Sequence, residues 1–209
     1  MSAPCRPVHN ARMTHTDIPA QVLRAQDYHR ERWRNGLGWT REILRWPATG
    51  DWDVRLSIAE VESESSFSRF DGIERELVLL EGNGMHLRFE GEPTRELAPP
   101  HGRCRFAGEC DVTGIPVDGP TRDFNLMWRR SAYSAELLHR PLAGSMLFRM
   151  EPGRTWLVFV LAGRMHFADG EGLPAPELHD TVVLAGEPGR RFLLQGAGEL
   201  LAIRLDAAA

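Results

Sequence analysis

Two short polar clusters and one charged triplet hold most of the chemistry this sequence could perform. The first cluster, Arg34-Asn-Gly-Leu-Gly-Trp-Thr40, sets an amide, an indole and a hydroxyl around two glycines. Glycine lets backbone amides approach a ligand closely, and Asn35 and Thr40 add oriented donors; an ordinary glycine turn has the same composition. The second cluster is Asp123-Phe-Asn-Leu-Met127. On a strand, Asp123 and Asn125 share one face while Phe124 and Leu126 share the other, which suggests a lined pocket. The triplet is Glu74-Arg75-Glu76, where strand geometry points both carboxylates away from the arginine. A carboxylate dyad there would suit acid–base chemistry; solvated charge alternation reads the same.

Several chemistries are excluded or unsupported. All 25 basic residues are arginine, which removes a lysine Schiff base, a lysine base and the lysine of a phosphate-binding loop. Arginine clamps anions but does not shuttle protons at working pH. The eight histidines form no HxH, HxxxH or HExxH pattern, and His86 and His166 occupy equivalent places in an internal repeat. Three cysteines, Cys5, Cys104 and Cys110, are too few for a CxxC-type metal site and fit a reducing cytoplasm. Gly144-Ser145 is not part of a GxSxG elbow.

The elements that would position these residues are strands. Trp52 to Val61 alternates Val54, Leu56 and Ile58 with Asp53, Arg55 and Ser57. Such a strand buries its apolar face and wets its polar face, or, in a barrel wide enough for a ligand, lines a cavity with the polar face. LVLLEGNGMHLRFEG from Leu77 is echoed by LVFVLAGRMHFADG from Leu157, with Gly82 matching Gly163. A spacing of about 80 residues suggests a duplicated small domain rather than a solenoid unit. Both glycine sites read as hairpin tips, and Val182 to Leu184, Arg191 to Leu194 and Leu200 to Leu205 as three further strands. A weak helical period spans Ser134 to Arg140, ended by Pro141. The expected class is all-β, with residues 1–19 a disordered leader (Met13 a second candidate start), 20–130 a first barrel, 131–206 a second barrel with its linking segment, and Ala207–Ala209 an unstructured tail. A formal net charge of −4 gives no reason to expect nucleic acid or anionic lipid, and the best apolar run, Trp156 to Ala162, is far short of a membrane span.

Taken together, the clusters resemble the HutD/Ves family. The resemblance rests on Trp33-x-Asn35-Gly-x-Gly38-x-Thr40, Asp53-Val-Arg55-Leu-Ser57-Ile-Ala59 and Phe67-Ser68-x-Phe70-x-Gly72-Ile-x-Arg75. It continues in Leu80-Glu-Gly82-x-Gly84, Phe106-x-Gly108 and Gly119-Pro120-x-x-Asp123-Phe124-Asn125-x-Met127. It implies a bicupin, two cupin-like β-barrels in one chain. The stretch where a cupin carries its metal histidines is FSRFDGIEREL before Gly82 and PGRTWLVFVL before Gly163, both without histidine, so no metal and no cofactor are expected.

The resemblance further implies a cytoplasmic protein that binds a small carboxylate, of the N-formylglutamate or urocanate class, and restrains histidine utilisation without established catalysis. Arg55 corresponds to the pocket arginine, a fork suited to a carboxylate or formyl oxygen. Ser57 would donate from the same strand face, Asn35 and Thr40 would cap the ligand from the loop, and Asn125 would meet it from across the barrel. Arg75 would suit a second carboxylate. Two rivals remain: a metal-independent isomerase or hydrolase using Glu74, Glu76 or Asp123 as base, and an interaction protein whose barrel only supports a surface. A homodimer is compatible with the sequence; nucleic acid and membrane are not expected as partners.

Overall fold

A computed structural model describes residues 19–208. The expected leader lies, except for Pro19, outside them, together with Cys5 and Met13. The chain runs β1 (Gln21–Leu23), a 3-10 turn (Ala25–Asp27), β2 (His29–Arg32), β3 (Gly38–Trp46), β4 (Val54–Val61), β5 (Ser65–Ser66), β6 (Ile73–Glu81), β7 (Met85–Phe89) and β8 (Arg95–Leu97). It continues with β9 (Arg103–Ala107), β10 (Val112–Pro116), β11 (Thr121–Arg129), β12 (Tyr133–Arg149), β13 (Arg154–Phe167), β14 (Thr181–Leu184) and β15 (Arg191–Ala207). The first barrel is a six-stranded sheet, β2-β3-β4-β11-β6-β9, with a four-stranded sheet, β5-β10-β7-β8. The second is one five-stranded sheet, β1-β14-β13-β15-β12, in which β12, β13 and β15 are long.

The duplication is visible in the pairing. β11 lies between β4 and β6 as the second half of β15 lies between β12 and β13. β10 pairs with β5 and β7 as the first half of β15 pairs with the far ends of β12 and β13. Both copies carry a bulge at the same place, Leu80 in β6 and Leu161 in β13. That bulge fixes the correspondence one residue away from the Leu77–Leu157 match that the two strings suggest, so Leu77 corresponds to Val158. A slip of one flips every side chain to the other face, so the bulge decides which residues are equivalent.

Several sequence expectations need correction. The helical period at Ser134 to Arg140 belongs to β12, whose Ala135 and Leu137 are buried in a strand pattern. β12 is an edge strand, where Pro141 loses no ladder hydrogen bond. Gly163 is not a hairpin tip: β13 runs straight through it, and a Cβ there would lie 2.1 Å from the Ala197 carbonyl oxygen. Gly82 to Gly84 carries the chain from one sheet of the first barrel to the other, since β6 and β7 do not pair. Arg191 to Leu205 is one strand, and Ala207, expected in a tail, still pairs with Tyr133. Gln21–Leu23, expected with the first barrel, pairs with β14 of the second.

Alternation gives the sheets apolar faces that pack against one another. Val54, Leu56, Ile58, Phe124, Leu126 and Trp128 cluster with Leu157, Phe159, Leu201, Ile203 and Leu205, which joins the barrels. The second barrel is filled by Phe148, Met150, Val158, Val160, Phe192 and Leu194 among others. In the first, Leu79, Met85, Leu87, Phe89, Leu97 and Phe106 fill one part of the interior. The rest is open.

Candidate binding cavity in the first barrel

That opening is a cavity of about 470 Å³ floored by β4, β11 and β6. Because Val54, Leu56 and Ile58 face the inter-barrel core, Arg55, Ser57 and Ala59 must face inward. The ladder sets them in rows. Arg55 pairs with Met127, which pairs with Arg75; Ser57 pairs with Asn125, which pairs with Leu77; Ala59 pairs with Asp123. Two strand spacings separate Arg55 from Arg75, about 10 Å between backbones, so both guanidinium groups reach one small molecule.

The mouth is built by the glycine cluster. The Leu37 N–H donates to Asn35 Oδ1 at 3.0 Å, and the Gly36 N–H to the Trp33 carbonyl at 2.9 Å. A Cβ at position 38 would lie 2.4 Å from the Glu60 carbonyl oxygen, so only glycine lets β3 start this close to β4. Trp33 Nε1–H donates to Thr40 Oγ1 at 2.8 Å, which fixes the indole as a cavity wall. The cluster is thus both a turn and a wall.

Arg75 is the unusual residue. It is 5% exposed, yet no carboxylate pairs with it among the described residues. Its Nη1 donates to the Ser68 carbonyl at 3.2 Å, while its Nε is buried with no partner. Phe106, Phe67 and Phe70 surround the guanidinium at 5.1, 5.3 and 5.9 Å. Burial, reinforced by the Arg55 charge, pulls Arg75 down to about 10. Arg55 differs: its Nε donates to Glu42 Oε2 at 2.9 Å, so its charge is already met in part. Glu42 reaches it through the β3–β4 register, which carries a bulge between Glu42 and Leu44.

Asp123 is 1% exposed, and burial pushes its carboxyl up to about 7 against the Thr121 hydrogen bond. Thr121 Oγ1 donates to Oδ2 at 2.8 Å; Oδ1 is buried and unpartnered, as is Asn125 Oδ1. A buried polar atom without a partner is costly, and here three from one cavity, Arg75 Nε, Asp123 Oδ1 and Asn125 Oδ1, go unmet.

All six residues expected to bind, Arg55, Ser57, Asn35, Thr40, Arg75 and Asn125, line this cavity, with Asn35 exposed at its rim. Of the three candidate bases only Asp123 does. Glu74 faces outward to Arg105 at 3.2 Å and Arg130 at 3.5 Å. Glu76 is buried on that outer side beside Arg103 at 3.9 Å, and burial raises its carboxyl. They are not a dyad in the cavity. The aromatic box around Arg75 and the Glu42–Arg55 pair were not foreseen; no local pattern marks either. The lining includes no histidine or cysteine, so its chemistry is that of guanidinium, carboxyl, amide and hydroxyl groups.

The second barrel lacks this lining. The shared register puts Trp156 where the first barrel has Arg75, Leu200 where it has Asp123, Ala202 where it has Asn125, and Leu138 where it has Ser57. All four pack in or against its apolar core.

Comparison with known proteins agrees with this layout. The family model HutD matches residues 25–202. A 21.2 kDa protein encoded 3′ of hutC in Pseudomonas putida is 43% identical over 56% of this chain and 62% of its own length. Protein Ves of Citrobacter koseri is 35% identical over 66% of this chain and 70% of its own. The structure of HutD from Pseudomonas fluorescens SBW25 superposes with a TM-score of 0.79 at 32% identity, covering 91% of this chain and all of that one. More distant structures, including YlbA of Escherichia coli at 12% identity and a TM-score of 0.69, share the two-barrel cupin-like fold.

Proposed function

The chain belongs to the HutD family, and from that premise we propose that its first barrel binds a small carboxylate metabolite without a metal and so modulates histidine utilisation. Arg75 carries this reading. A buried guanidinium with no carboxylate partner regains only part of its lost hydration from one carbonyl and three aromatic rings, and a ligand carboxylate is the simplest group to restore the balance. Arg55 across the floor suits a second carboxylate or a formyl oxygen, with Ser57 beside it. Asn125 Oδ1 would accept from an amide N–H, and a protonated Asp123 would donate from its free oxygen. N-formylglutamate offers each of these groups, urocanate fewer. A cavity of about 470 Å³ accommodates such a molecule, of about a dozen non-hydrogen atoms, with water to spare. Free Cys104 and Cys110 fit a cytoplasmic setting. No helix among the described residues is long and apolar enough to cross a membrane.

The test is calorimetric titration of chelator-treated protein with N-formylglutamate, urocanate, glutamate and formate, beside Arg55→Ala and Arg75→Met. One acid binds saturably at micromolar concentration, Arg55→Ala weakens it by about 2–4 kcal/mol, and Arg75→Met abolishes it. No heat with any of the acids refutes the assignment. Asp123 favours one second reading, a metal-independent isomerase or hydrolase, because a carboxyl at about 7 is suited to proton transfer. Turnover of a bound acid that disappears in Asp123→Asn, with binding retained, would establish it.

A further inference from the structure

Away from the cavity, three side chains meet where the barrels join. His101 stands on the loop between β8 and β9 of the first barrel; His139 is on β12 and Glu199 on β15 of the second. His139 Nε2 lies 2.9 Å from Glu199 Oε2 and His101 Nε2 3.8 Å from the same oxygen, and the three ligand atoms all fall within 4.8 Å of one another. Glu199 pairs with Pro141, two residues from His139, so the two side chains are diagonal neighbours on one sheet face. That face also carries Leu137, which packs in the inter-barrel core.

The tautomer of His101 is set by its surroundings. Its Nδ1 lies 3.1 Å from the Leu79 carbonyl oxygen, which can only accept, so Nδ1 donates there and Nε2 is the nitrogen turned toward Glu199 and His139 and left to ligate. Fixing the far ring nitrogen on a carbonyl is how proteins orient a histidine that ligates metal. The two rings stand edge to face, 4.9 Å apart at 66°, with their nitrogens converging on one carboxylate.

We propose that His101, His139 and Glu199 form a site for one divalent transition-metal ion, of the zinc, cobalt or nickel type, that ties the two barrels together. Two imidazole nitrogens and a carboxylate oxygen suit such ions, with a further position left for water. Bonds of about 2.0–2.2 Å place tetrahedral ligands about 3.3 Å apart, so closing this site takes a movement of about 1 Å, mainly by His101. Sequence spacing could not reveal it, because its members come from a loop and two strands far apart in the chain. None of the three lines the cavity, so the site is independent of the carboxylate reading.

Chelator-treated full-length protein titrated with Zn2+ and Co2+ in a calorimeter, with melting followed by circular dichroism, tests the proposal. One equivalent binds, and at a hundredfold excess over Kd the melting temperature rises by about 5–10 °C. His139→Ala, at an exposed position, and Glu199→Gln each weaken binding at least tenfold and remove the thermal shift, while His166→Ala retains both. Absence of saturable binding, or binding that His139→Ala and His101→Ala leave unchanged, overturns it.

Discussion

Replacing Asp123 with asparagine should stabilise the protein, and by an amount that grows with pH. The carboxyl is buried and pushed up to about 7, whereas in the unfolded chain it titrates near the ordinary value of about 3.9. The native state therefore holds a proton that the unfolded state releases, so this group's contribution is greatest below about pH 4, falls as pH rises and is gone above about pH 7. The interval is roughly three pH units at about 1.4 kcal/mol each, a penalty of about 4 kcal/mol at pH 8 and under half that at pH 5. Asparagine copies the neutral acid: its carbonyl accepts from Thr121 Oγ1, and its amide takes the place of the unpartnered Oδ1. Urea unfolding of wild type and Asp123→Asn at both pH values reads the difference directly. The variant should gain about 2–3 kcal/mol more at pH 8 than at pH 5. An equal gain at the two pH values, or a loss at pH 8, would refute the protonated-acid account of this side chain.

Arg75→Met should raise the stability of the ligand-free protein by about 1–3 kcal/mol while abolishing carboxylate binding, since it replaces a buried unpaired charge among three phenylalanines with an apolar chain; thermal melts and calorimetry on the same sample check both halves. Gly163 and Gly170 share a φ of +89°, but a Cβ at 163 meets the Ala197 carbonyl at 2.1 Å and one at 170 meets nothing within 4 Å. Gly163→Ala should thus cost more than about 3 kcal/mol and Gly170→Ala about 1 kcal/mol by chemical denaturation. Asp180 accepts from Arg24 Nη1 at 2.7 Å, the Ala25 N–H at 2.8 Å and the Glu177 N–H at 2.9 Å. Asp180→Ala should cost about 3–5 kcal/mol and expose the β1 segment to limited proteolysis.

The cavity floor was legible because a period of two assigns faces: once Val54, Leu56 and Ile58 are buried, Arg55 and Ser57 share the other side, as Asp123 and Asn125 do. Whether that side met water or a cavity was not legible, since both give the same alternation. Pairing was opaque for a related reason. Arg75 sits between Glu74 and Glu76 in sequence, yet the pleat turns both away from it, while Arg55 finds Glu42 only through cross-strand register. Strand length misled where β12 and β15 run seventeen residues each, far beyond the usual strand: the first half of β12 reads as helix, and β15 reads as two strands.

Duplication turns one barrel into a control for the other. Both copies share connectivity and even the bulge at Leu80 and Leu161, and apart from the Glu136–Arg204 pair, 3.0 Å apart, that the register puts at the places of Arg55 and Met127, the matching positions of the second copy are apolar. The second barrel answers with Trp156, Leu200, Ala202 and Leu138; the first, on the same framework, keeps Arg75, Asp123, Asn125 and Ser57. A polar lining with unmet buried atoms opposes folding, and the first barrel carries it beside a shared apolar seam where Trp128 and Phe124 pack on the second. Where one of two equivalent interiors sustains a destabilising set of side chains and the other has an apolar core, folding does not explain the difference. The proposed recognition of a carboxylate that satisfies those atoms would.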